Sequence, residues 1–472
     1  MGSLYERLRY DPAQYVTQAY ADGFRLTATE RENVHLHGLR KRFDALRHKL
    51  SALDKLAQEQ GIDAVEAIDD VVPLLFPHTV YKSYPLSFLE KARFDRLTRW
   101  LGGLTTVDLS GVDAAGVETI DDWIALLDRK TELRPLHTFG TSGKLSFLPR
   151  TRDQWITSVT LTAHCLRDWN GPNTGPDLLN HHRPVIQPSY RHGASASNRG
   201  IDLMIKMYAG GDDNALSLYP EARFSADMAS LAGRMRAAEA RGEQGQIELS
   251  SALLARREEF ARNERERPER MKAFFQEAID RFAGRDVMIF AVWPILFEWA
   301  EAGLAQGLRK VFGPGSVLMT GGGSKGRVLP EGWREQIFEF VGFDSYYEFY
   351  GMSELMANCP RCAEGNFHMP PVLVPFVLDP ESGRPLPRHG QQTGRFALFD
   401  LMPDSYWGGL ITGDEVTLAG WDEACACGRT GPYAFPAIRR FSEKQGGDDK
   451  INCAGAPDAH DRAVSYLVGQ SQ

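Results

Sequence analysis

Leu36, Leu39, Phe43, Leu46, Leu50 and Leu53 recur every three to four residues, the period of one apolar helix face packed on a core. Thr29 followed by Glu32 predicts a capping box ahead of that face, and Gly61 a stop behind it. Residues 1–130 therefore read as a mainly helical region packed on a core. Residues 228–282 keep a helical period but are densely charged, with Arg256, Arg257, Glu258 and Glu259, then Glu264, Arg265, Glu266 and Arg267. Mixed signs of this kind predict a solvated helix pair rather than a partner-binding arm.

From Asp286 the pattern changes. Val287–Phe290 predicts a buried strand, followed by a helix to about Gly303. Val317–Met319 predicts another strand ending in Gly321-Gly322-Gly323, then a helix over 331–341 and a strand through Tyr346 to Tyr350. Alternating strands and helices imply an α/β fold with a mostly parallel sheet, in which ligands bind beyond the carboxyl ends of the strands. Neither an internal repeat nor a low-complexity linker interrupts the chain.

Composition narrows the function classes. The 472 residues are 43% hydrophobic and 25% charged, a globular balance, with net charge −8. This argues against a chain-wide nucleic-acid binder. No signal peptide is read at Met1–Arg7 and no apolar run is long enough for a membrane span, so a cytoplasmic protein is expected. In a reducing compartment the six cysteines favour metal or thiol chemistry over disulfides.

Four short motifs carry the candidate chemistry. Thr138-Phe139-Gly140-Thr141-Ser142-Gly143-Lys144 combines backbone access, two hydroxyls and an ammonium suited to phosphates, but lacks the Walker A spacing. Gly321-Gly322-Gly323-Ser324-Lys325-Gly326 and Tyr350-Gly351-Met352-Ser353-Glu354 each follow a strand, and Thr412-Gly413-Asp414 comes later. In this order, over residues 131–450, they resemble the adenylate-forming superfamily of acyl-CoA synthetases, adenylation domains and luciferases. The resemblance implies a large adenylation core that binds ATP and a carboxylic acid. It places ATP phosphates on the Thr138–Lys144 loop, adenine near Tyr350, magnesium on Glu354 and the ribose on Asp414. A magnesium ion and loop donors would neutralise charge as a carboxylate attacks the α-phosphate.

Gly446–Ile451 resembles the hinge that opens the superfamily's small C-terminal domain, and only residues 451–472 follow. The small domain is thus expected to be truncated or absent, leaving a short tail. The hinge Arg is missing from its usual place, with Arg429 and Arg440 as candidate replacements. The triple-glycine loop, Cys427–Pro432 and Cys453 near the end resemble the acyl-protein synthetase of bacterial luminescence. That family forms an acyl-adenylate of a fatty acid, moves the acyl group to its own cysteine and passes it to a partner protein. In this reading Cys453 accepts the acyl group and Lys325 neutralises the carboxylate; the bland reading of Cys453 is a small core thiol. An acyl- or aryl-CoA ligase similar to phenylacetate-CoA ligase, taking CoA directly, is the alternative; across these readings the acceptor is a partner protein, a carrier protein or CoA. A non-catalytic nucleotide-binding subunit is the third reading.

Cys359-Pro360-Arg361-Cys362 and Cys425-Ala426-Cys427 are two close pairs, a plausible structural zinc site, with His368 as a substitute ligand. Trp293 and Phe297 either bound the acyl group or pack a helix on the sheet. His137 is a candidate for touching substrate or phosphate, and Cys165 reads as core.

Overall fold

The computed structural model describes residues 20–138, 144–242, 247, 251–320 and 328–441. The leucine period at the start of the chain forms two helices rather than one, α1 (Ala28–Leu46) and α2 (Ser51–Gln60). The capping box is made by Thr27 and Glu30, two residues earlier than Thr29 and Glu32. Leu39, Phe43, Leu46, Leu50 and Leu53 are all buried across the break. Gly61 ends α2 at φ +66, a left-handed conformation that glycine adopts without strain.

The chain then forms β1 (Phe76–Pro77), α3 (Ile120–Lys130) and a small hairpin of β2 (Leu136–His137) and β3 (Phe147–Leu148). Next come α4 (Arg152–Arg167), β4 (Val185–Gly193), α5 (Ala196–Tyr208) and β5 (Ala215–Phe224). The charged stretch is helical as expected, in α6 (Ala226–Arg241) and α7 (Arg257–Phe282). The alternation from Asp286 gives β6 (Met288–Phe290), α8 (Trp293–Ala305), β7 (Val317–Met319), α9 (Trp333–Val341) and β8 (Tyr346–Tyr347).

These strands make a five-stranded parallel sheet in the order β5-β4-β6-β7-β8. The predicted strand to Tyr350 divides: β9 (Phe349–Tyr350) leaves this sheet to pair antiparallel with β10 (Cys359–Pro360). The second sheet is mostly antiparallel. It contains β11 (Phe367–His368), β12 (Leu373–Leu378), β13 (Gln392–Asp400), β14 (Gly409–Ala419), β15 (Tyr433–Ala434) and β16 (Arg439–Arg440).

β14 organises this sheet. One edge pairs with β13, while the other is covered in succession by β1 at Leu410–Ile411, β16 at Asp414–Glu415 and β15 at Leu418–Ala419. Burial alternates along β14 with the two-residue period of a strand, putting Leu410, Thr412, Asp414, Val416 and Leu418 on the inner face. The helical region therefore supplies a strand to the later sheet. Cys165 is core, as expected. Among the described residues no helix is long and apolar enough to cross a membrane.

Candidate active site

A cavity of about 650 Å³ opens between the two sheets. Asp414, from the inner face of β14, is only 8% exposed. Its two carboxylate oxygens have separate partners. The Tyr350 hydroxyl donates to Oδ2 at 2.7 Å, and Arg440 Nε lies 3.1 Å from Oδ1. Asp414 and Arg440 face each other in the β14–β16 register, so the ion pair follows from strand pairing. Burial, then the Asp414 charge, raises the Tyr350 hydroxyl well above its ordinary pKa, which keeps it a neutral donor.

Glu354 lines the same cavity, and its segment is held from both sides. The buried Arg150 guanidinium donates to the carbonyls of Ser353 at 3.1 Å and Leu355 at 2.8 Å. Asp400, fully buried, accepts from the amides of Met356 at 2.7 Å and Met402 at 2.9 Å. Burial lifts the Glu354 carboxyl above its ordinary value, against the pull of Arg150, Lys82 and Arg440. As a hard oxygen ligand facing the cavity, Glu354 fits the magnesium role that the resemblance implies.

His78 and Lys82 line the cavity too; they follow β1, and the His78 amide donates to Ile411 O at 3.0 Å. Thr138 and Ser146, on either side of residues 139–143, also line it, as do Ala196 and Ser197 at the start of α5. A 13-residue helix presents a partial positive charge at that end. His137 is buried in the wall, and desolvation lowers its pKa to about 4. Cations, a helix start and one magnesium-competent carboxylate suit this cavity to a polyphosphate.

Other candidates fall elsewhere. Lys144 donates to Tyr84 O at 2.7 Å and lies over the Tyr84 ring, 5.6 Å from its centre. Arg429 bonds the Asp168 and Trp169 carbonyls and covers Phe24, so Arg440 is the arginine brought to Asp414. Trp293 packs edge-on against Trp333 and Tyr346, and Phe297 packs in the same core cluster. β6 and β7 give the cavity the apolar residues Phe290 and Met319. Gly140, Thr141, Ser142, Gly143, Gly321, Gly322, Gly323, Lys325 and Cys453 lie outside the described residues. Arg150, His78 and Lys82 were not singled out from the sequence, because an isolated basic residue carries no spacing signal.

Behind Tyr350 lies a second constellation. The ligand atoms of Cys362, His368, Cys425 and Cys427 all lie within 4.8 Å of one another. A tetrahedral zinc with bonds of ~2.3 Å has donor–donor edges of about 3.8 Å, so this set fits the metal. His368 is fully buried, and desolvation, then the Arg429 charge, lowers its pKa to about 3, leaving neutral imidazole. Its Nε2 is 3.3 Å from Cys427 Sγ. Cys359, expected in this set, is replaced by His368: its register partner is Tyr350, and its Sγ lies 3.4 Å from Met369 Sδ in the core. The cluster adjoins the cavity through the Phe367 ring, 6.3 Å from that of Tyr350.

Comparison with solved structures matches this architecture to 2-hydroxyisobutyryl-CoA ligase. Its complex with 2-HIB-AMP and CoA in the thioesterification state aligns with a TM-score of 0.52 and 13% identity, covering 88% of this chain and 69% of that one. An open conformation of the same ligase, also with 2-HIB-AMP and CoA, aligns with a TM-score of 0.50 at 13% identity, over 88% and 70%. The fold is that of adenylate-forming enzymes. No family model and no curated protein matches the sequence at a significant level. Within the adenylate-forming fold, the Tyr350–Asp414–Arg440 cluster and Glu354 share one cavity.

Proposed function

We propose that the protein activates a carboxylic acid with ATP and transfers the acyl group to a thiol. The observation that carries this reading is the convergence of Tyr350, Glu354, Asp414 and Arg440 on one cavity of an adenylate-forming fold. A carboxylate oxygen of the acid attacks the α-phosphorus; the acyl–phosphate bond forms and the bond to the β-phosphate oxygen breaks, releasing pyrophosphate. A thiol then attacks the acyl carbon, the thioester forms, AMP leaves and the thiol proton passes to solvent.

Asp414 presents acceptors to the ribose hydroxyls, with Arg440 and Tyr350 fixing its orientation. Lys82, Arg150 and Arg440 offset the phosphate charge, and His78 offers a ring nitrogen beside them. Magnesium held by Glu354 would neutralise developing charge on the transferred phosphate. Phe290 and Met319 give the acid an apolar surface; a fatty acid is the sequence-based preference. Lys144 remains a proposed phosphate contact and Lys325 a proposed carboxylate contact, with Trp293, Phe297 and His137 as proposed substrate contacts.

For the acceptor, CoA is favoured by the CoA-bound ligase that shares the fold. Cys453, with onward passage to a partner protein, is the alternative drawn from the sequence. A structural zinc on Cys362, His368, Cys425 and Cys427 completes the proposal, supported by four soft donors in one small volume. The test is ATP–pyrophosphate exchange with magnesium across a panel of carboxylic acids. Acid-dependent exchange is expected; folded protein with no exchange for any acid overturns the reading. Intact mass then separates the acceptors: an acyl adduct lost in Cys453→Ser marks that cysteine, and CoA thioester formed by Cys453→Ser marks CoA.

A further inference from the structure

A second cavity, of about 270 Å³, shares Trp155 with the first. Trp155 lines both cavities, and its indole nitrogen donates to Arg134 O at 2.9 Å. The second cavity is lined by Arg134, Arg152, Arg199, Lys206 and Arg223, against the single carboxylate of Asp202. His192, partly buried, also faces it, and its pKa is lowered chiefly by burial. So dense a cationic lining is not the general character of a chain with net charge −8.

Two of these cations are already neutralised. Arg199 makes two bonds of 2.8 Å to Asp128, and Lys206 bonds Asp202 at 2.9 Å. The other three have no carboxylate partner among the described residues. Arg134 donates only to the carbonyls of Thr131 and Leu133, while Arg152 and Arg223 extend exposed side chains. Arg152 stands in the first turn of α4, where a cation opposes the helix dipole, so its charge does not serve that helix. Three guanidiniums from three separate stretches of chain on one concave surface are suited to phosphate oxygens.

We infer that this cavity binds the phosphate end of a phosphorylated thiol acceptor, of the CoA type, whose thiol is acylated in the main cavity. The inference rests on the reading that an adenylate passes to a thiol. The main cavity has its own cations for nucleotide phosphates, so a second set, one indole away, serves a second phosphate-bearing substrate. The volume suits a phosphate-bearing end rather than a whole dinucleotide-sized molecule. Chemistry is unchanged by this binding: the sulfur–carbon bond forms and the acyl–phosphate bond breaks as above, and the cavity supplies affinity and placement.

The test uses the full chain without ATP, titrated calorimetrically with CoA, 3′-dephospho-CoA, pantetheine and inorganic pyrophosphate. CoA should bind at least tenfold tighter than pantetheine. Arg152→Glu/Arg223→Glu should weaken CoA at least tenfold and leave pantetheine unchanged. The same variant should raise KM for CoA while acid-dependent ATP–pyrophosphate exchange stays at the wild-type rate. Both sites are exposed, and a Glu in the first turn of α4 favours the helix; Arg152→Gln/Arg223→Gln serves if the reversal misfolds. Equal CoA affinity in wild type and variant overturns the inference. So does pyrophosphate binding that depends on these arginines without CoA binding, which would mark a free-anion site. Loss of exchange in the wild type would instead overturn the activation reading, with the CoA titration still legible.

Discussion

Asp414 shows how a single carboxylate acquires a directed role. Tyr350 and Arg440 each occupy one of its oxygens, so the side chain is fixed before any ligand arrives. Asp414→Asn loses the charge that holds Arg440 and one acceptor. We expect exchange to fall by about 10²-fold, the order seen when one positioned electrostatic group is removed from an active site, with KM for ATP raised. Glu354 must ionise to hold a cation, and burial raises its pKa. The acid limb of the exchange rate should therefore lie above the range of an ordinary carboxylate, with activity rising as pH rises through it. Glu354→Gln should remove both that limb and most of the rate, read from a pH profile of exchange. Tyr350, Glu354, Asp414 and Arg440 were legible because each stands in or beside a short motif. Arg150, His78 and Lys82 were not, because their places depend on pairings far along the chain.

At the scale of elements, α3 and α6 begin against each other and exchange caps. Asp227 accepts from the amides of Ile120 at 2.9 Å and Asp121 at 3.0 Å; Asp121 in turn accepts from Ser225 Oγ at 2.6 Å and the Ala226 amide at 2.8 Å. Burial, then the neighbouring Asp121 charge, raises the Asp227 pKa to about 7. The native state thus holds a proton that the unfolded chain releases near pH 4. Its stabilising effect is complete below that pH and is lost as pH rises through about 7. Urea midpoints of the wild type should fall between pH 5 and pH 8, and Asp227→Asn should flatten that fall. The alternation after Asp286 was readable because β6 and β7 are continuous apolar runs. β4 was not: Pro188, Arg191 and His192 break its two-residue period, and pairing on both sides makes it a strand nonetheless. The single helix face at the start was read correctly as core, but periodicity alone does not reveal the break between α1 and α2.

Over the whole molecule, the Cys362–His368–Cys425–Cys427 cluster joins the segment behind Tyr350 to the loop before β15. That loop is tied to the start of the described chain by Thr430, whose amide donates to Phe24 O at 2.7 Å, and by Arg31, which donates to Thr430 Oγ1 at 3.0 Å. Purified protein should carry about one zinc per chain by elemental analysis, the stoichiometry of a closed four-ligand site. Cys362→Ser and His368→Ala should lose the metal and lower Tm by several degrees, the scale of about 1–2 kcal/mol in a chain of this size. Cys359→Ala should keep the metal, since its sulfur points into the core. The sequence marked the cysteine pairs, but choosing His368 over Cys359 required knowing which side of a two-residue strand faces the cluster.

The edge of β14 has a practical consequence for anyone dividing this chain. Its inner face carries Asp414, yet the flanking backbone is lent by residues 76–77 at one point and 439–440 at another. A cut near residue 130 would separate His78 and Lys82 from the carboxylates they face across the cavity. Neither piece would own the whole cavity, however well each folded. The functional unit is a closed circuit of chain, and its two ends have to be expressed together.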